Sequence, residues 1–130
     1  MIPQSIWTQV WDQLTKVFQG LAAQIQQIIP ECSMKAGRNS NDIFPFWAYA
    51  TFTSPQSVMG IDVSVNCKLS ESYVLIWADV AKETGLVLSE FPSRQIAVHT
   101  SSTEAEIVQA FGEVEAYLKN QVELIYRELT

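Results

Sequence analysis

The sequence predicts an α+β fold: an N-terminal helix, a four- to five-stranded antiparallel meander sheet and a C-terminal helix, with both helices packed on one sheet face. Three observations lead there. Apolar residues recur every three or four positions over residues 6–28 and again over 107–129, the period of an amphipathic helix. Between these segments apolar and polar residues alternate, the period of a half-buried strand. The links between strand candidates are too short for a parallel crossover, so sequential neighbours must run antiparallel. Two amphipathic helices need an apolar surface, and one face of the sheet supplies it.

In the first helix Ile6, Trp7, Val10, Trp11, Leu14, Val17, Phe18, Leu21, Ile25 and Ile28 gather on one side, and glutamines occupy most of the other. Ser5 is placed to cap its start, and Pro30 ends it because its ring blocks continuation. Residues 31–42 hold Gly, Ser and Asn without periodicity and read as a loop. Strands are expected at 46–53, 59–69, 73–81 and 86–91, with a short fifth edge strand at 94–98. Ser101 and Glu104, three apart, fit a capping box for the last helix. Its stripe of Ile107, Phe111, Val114, Leu118, Val122, Ile125 and Leu129 fits a helix laid across the sheet. The same seven-residue beat would also suit a coiled-coil seam in a structural subunit.

Successive strand side chains point to opposite faces, so alternation assigns sides. Phe46, Ala48, Ala50 and Phe52 fall inward with Ile61, Val63, Val65 and Cys67, and with Val74, Ile76, Ala78 and Val80. The outward set is Trp47, Tyr49, Asp62, Ser64, Asn66, Leu75, Trp77 and Asp79. A type I turn over Lys82–Gly85 with Gly85 as a bulge would pair Lys82 with Leu86, Asp79 with Ser89 and Trp77 with Phe91, adding Phe91 to that face. Large aromatics among short polar groups on one exposed face suit a docking surface. Trp47 and Trp77 as mutual cross-strand partners, half shielded by the 31–42 loop, are the plainer alternative.

Composition narrows the function. The chain has 130 residues, 48% of them hydrophobic, enough for one domain spanning 1–130 with its own core. Charged residues are only 17%, against about 25% in ordinary globular domains. The net charge is −6, and the few Lys and Arg are scattered, which argues against nucleic acid or an anionic membrane as partner and admits a basic protein segment. Cys32 and Cys67 lie far apart with no CxxC and no histidine cluster, so no metal or disulfide is expected. No secretory leader and no apolar run near membrane-spanning length is present, so a cytoplasmic protein is expected.

Catalytic groups are sparse. His99 stands alone beside a serine run better explained as capping, and Asp62 and Asp79 could face each other across neighbouring strands as a carboxylate pair. The five glycines are isolated, so no phosphate-cradling loop exists. No catalytic residue, cofactor or metal is assigned, and the expectation leans against an enzyme. In size, acidity and element order the chain resembles bacterial secretion chaperones and small immunity proteins, though it lacks the additional helix that secretion chaperones place between strands. That resemblance implies a protein partner. The expected function is a small acidic protein-binding module, an adaptor or a chaperone-like or immunity-like protein, homodimeric through the outer sheet face. The alternative is a small-molecule binder or enzyme with a pocket between that face and loop 31–42, ringed by Asp62, Asn66 and Asp79.

Overall fold

The computed structural model describes residues 4–82, 93–99 and 102–130. Helix α1 (Gln4–Gln26) is followed by strands β1 (Ser33–Asn39), β2 (Phe46–Thr53), β3 (Ile61–Leu69), β4 (Tyr73–Lys82) and β5 (Arg94–His99). Helices α2 (Glu104–Lys119) and α3 (Val122–Glu128) complete the chain. The strands form one antiparallel sheet in the order β1-β2-β3-β4-β5, an α+β meander as the short links require.

Alternation decides the layers. Phe46, Ala48, Ala50 and Phe52 of β2, Ile61 through Cys67 at every second position of β3, and Val74 through Val80 of β4 are buried against the helices. From the helices, Val10, Leu14, Phe18, Leu21, Phe111, Val114 and Leu118 meet them. Trp7 of α1 stacks on Phe46 of β2 at 5.5 Å, and both rings meet the edge of Phe111 from α2, at 6.2 and 5.9 Å. One aromatic triad therefore joins both helices to the sheet.

The structure departs from the sequence expectations at several places. The segment read as a loop at 31–42 contains β1, an edge strand paired with β2 from Ser33↔Thr53 to Asn39↔Trp47. Ser5 lies inside α1 rather than at its cap, and α1 ends at Gln26, so Ile28 leaves the stripe and is 56% exposed. Strand β3 begins at Ile61 rather than Met59. The capping box is made two residues later than expected: the Thr103 hydroxyl accepts from the Glu106 amide, and the Glu106 carboxylate accepts from the Thr103 amide. Two Ser/Thr-x-x-Glu matches overlap in this run, and Ser101 lies outside the described residues. The last helix is broken at Asn120–Gln121, where the Asn120 amide donates to Tyr117 and the Gln121 amide to Leu118, a tightened final turn. Leu118, Ile125 and Leu129 are nevertheless fully buried within the chain, which removes the coiled-coil seam.

One pairing of the hairpin expected after β4 is corrected, and the rest of that hairpin lies outside the described residues. Trp77 has Gln95 of β5 as its cross-strand neighbour, not Phe91, and the β4–β5 ladder runs from Tyr73↔His99 to Ala78↔Arg94. Leu86 to Phe91, with Ser89 and the Gly85 bulge, lie outside the described residues.

Candidate functional site

The face of the sheet opposite the helices carries the candidate residues, and the register orders them into cross-strand rows. One row reads Asn39, Trp47, Asn66, Trp77, Gln95 across β1 to β5. The next reads Gly37, Tyr49, Ser64, Asp79, and the third Lys35, Thr51, Asp62, Ala81. Leu75 lies beside Lys68 on the other side of the first row. Eight of the nine candidates are thus on one face, as alternation predicts; Phe91 is outside the described residues.

The two indoles are not cross-strand partners, because β3 lies between β2 and β4 and puts Asn66 between them. Each has its own aromatic neighbour. Trp47 meets Tyr49 at 6.5 Å, edge to face, and Trp77 meets Phe44 at 6.2 Å. Phe44 comes from the β1–β2 connection, where Asn41 Oδ1 accepts from the Ile43 and Phe44 amides and the Ile43 carbonyl accepts from Leu69. Trp77 is therefore half-buried while Trp47 and Tyr49 remain 43% and 37% exposed. Phe44 was not visible as a site residue, since nothing in a turn sequence says which strand its ring will cross.

Tyr49 lies down over the edge strand. A Cβ on Gly37 would stand 2.5 Å from Tyr49 Oη and 2.8 Å from Cζ, so only a residue without a side chain lets the ring settle there.

The two aspartates do not form a facing pair. Asp62 is registered with Ala81 and Asp79 with Ser64, one row apart. Each is instead held by a hydroxyl: Thr51 Oγ1 donates to Asp62 Oδ1 at 2.7 Å and Ser64 Oγ to Asp79 Oδ1 at 2.8 Å. Asn66 Nδ2 donates onward to Ser64 Oγ at 3.3 Å. The polar groups of the face are tied to one another along and across strands, which fixes their orientation.

The remaining reactive groups sit elsewhere. His99 ends β5 in the row of Tyr73. Cys67 is in the core and Cys32 is buried behind α1; burial pushes both thiols up, away from the reactive thiolate. No group of three potential metal ligands occurs among the described residues. Among the described residues, cavities of about 200 to 280 Å³ lie between α1 and the β1 end, between α1 and α3, and along β5 and α2; Asp62, Asn66 and Asp79 line none of these three. The segment expected to wall a pocket over the outer face lies in the plane of the sheet as β1.

Tyr117 of α2 has its hydroxyl buried without a hydrogen-bond partner among the described residues. Burial pushes it up to about 12, and the charge of Asp79 adds to the shift. An unfolded chain loses this proton near pH 10. Between about pH 10 and 12 the folded state therefore holds the proton while the unfolded state releases it, and stability falls as pH rises through that window. In alkaline denaturation, Tyr117→Phe should flatten this fall and remove the latest step of phenolate absorbance; an unchanged pH–stability curve would contradict the assignment.

No described helix is long and apolar enough to cross a membrane. Comparison with protein-family models, with curated proteins and with solved structures finds no match to this chain.

Proposed function

We propose that this chain is a small, non-catalytic, cytoplasmic protein-binding module that docks through the outer sheet face and self-associates there. The contrast between the two faces of one sheet carries the reading. One is sealed by helices, while the other presents Trp47 and Tyr49 to solvent, with Tyr73 at its end, all exposed. Trp and Tyr dominate the few interface positions that supply most binding energy, and two exposed aromatics side by side among short polar groups suit an interaction site. The side chains of the face are held by hydroxyl–carboxylate bonds and ring contacts, so little ordering entropy remains to be lost on docking.

Light scattering behind a sizing column tests this. The wild-type chain should give twice its 14.6 kDa mass, and Trp47→Lys should shift it to the monomer with unchanged circular dichroism. Placing a hydrated ammonium where the ring docks should cost about 2 kcal/mol or more of association. A monomeric wild-type mass at high protein concentration would remove self-association.

A further inference from the structure

We propose that the cavity between α1 and the β1 end is a carboxylate-binding site, with Arg38 holding the charged head and Trp7, Pro45 and Phe46 taking a short apolar group beside it. The site is separate from the outer face and does not depend on the docking reading above. Arg38 is registered with Ala48, whose side chain is buried under the helices, so Arg38 leaves the edge strand on the α1 side. Its guanidinium lies over the Trp11 ring, 5.7 Å from the centroid. This cation–π contact orients the group without supplying an oxygen acceptor.

No carboxylate of the described chain answers that charge. The protein carries 14 acidic residues against 8 basic ones, yet none of the described acids pairs with Arg38. The first turn of α1 has no acid, and the other lining residues, Gln4, Asn39 and Ser40 among them, are uncharged. One fixed positive charge therefore sets the potential of the cavity. The polar residues around it carry amides and a hydroxyl, which can donate to an oxygen acceptor.

Size and charge select the ligand. About 200 Å³ is less than the roughly 300–1,000 Å³ that takes a drug-sized molecule, so the occupant is a group of about one amino acid's size. A dianion such as phosphate would meet a chain of net charge −6 with a single cation to hold it. A planar carboxylate needs only that one cation, because it matches the guanidinium fork with two parallel hydrogen bonds. The rings of Trp7 and Phe46, stacked at 5.5 Å, give the apolar part a rigid floor. The C-terminal residue of a peptide and a free short aliphatic acid share this chemistry.

NMR spectra of the isotope-labelled chain test the site, with butyrate, a short peptide ending in a free leucine carboxylate, and the same peptide amidated as probes. The acids should move the Trp7 indole and Arg38 Nε–H signals along one saturable curve, with a dissociation constant on the order of 1 mM for so few atoms. Amidation should weaken binding about tenfold or more, and so should Arg38→Gln, since each removes one half of a charge-assisted pair. Arg38→Lys, which keeps the charge without the fork, should fall between. Preserved signal dispersion shows that each variant folds. A peptide acid several-fold tighter than butyrate identifies a chain end as the source, and equal or weaker binding identifies a free acid; either supports the site. Three results overturn it: an amidated peptide that binds as well as the acid, signal shifts unchanged by Arg38→Gln, or inorganic phosphate moving the same signals at lower concentration than either acid.

Discussion

Phe111→Ala should cost about 3–5 kcal/mol in urea unfolding, a large part of the 5–15 kcal/mol that holds a domain of ordinary stability. Phe111 is fully buried and is the α2 member of the ring triad with Trp7 and Phe46. Its removal opens a cavity where both helices and β2 converge, and no single element can shift to fill it without leaving another contact. The denaturant slope should stay constant if the fold is retained. A loss below about 1 kcal/mol would show that the three elements collapse onto the gap and that the triad is replaceable.

The second large effect carries a reversal of sign. Gly37→Val places a branched side chain where the exposed Tyr49 ring now lies, so the ring must swing out and give up its contact with Trp47, at a cost of about 0.5–1.5 kcal/mol. Once the ring is removed by Tyr49→Ser, the same substitution meets open space. There Val should be neutral or stabilising, because glycine in a strand loses backbone entropy and valine suits an extended strand. The double-mutant cycle should therefore give a coupling of about 0.5–3 kcal/mol between positions 37 and 49. Additive changes would mean that the ring does not need the bare backbone.

These residues show what a linear reading reaches. The faces of β2, β3 and β4 were legible because each strand is buried on one side only, and burial on one side writes period two into the sequence. Strand β1 was not, because it is an edge strand exposed along most of its length and so carries no alternation to read. Gly37, which looked like a loop signal, is there to accommodate Tyr49. The break at Asn120 is equally silent: Val122, Ile125 and Leu129 continue the seven-residue beat because α3 still faces the core. The outer-face residues could be named from sequence. Their order into rows could not, since it needs the registers of β2 and β4 against β3, and these are set by pairing in space.

The placement of the four tryptophans gives the protein a built-in spectroscopic reporter. Trp7 is buried between helix and sheet, Trp11 is half-buried beneath Arg38, and Trp47 and Trp77 belong to the outer face. Emission from the first pair follows the integrity of the core. Emission from Trp47 follows whatever covers the face, and should shift to shorter wavelength when water is displaced from the ring. A titration of protein concentration can thus be read without a label, and a Trp47→Phe chain separates the signal of docking from the signal of unfolding.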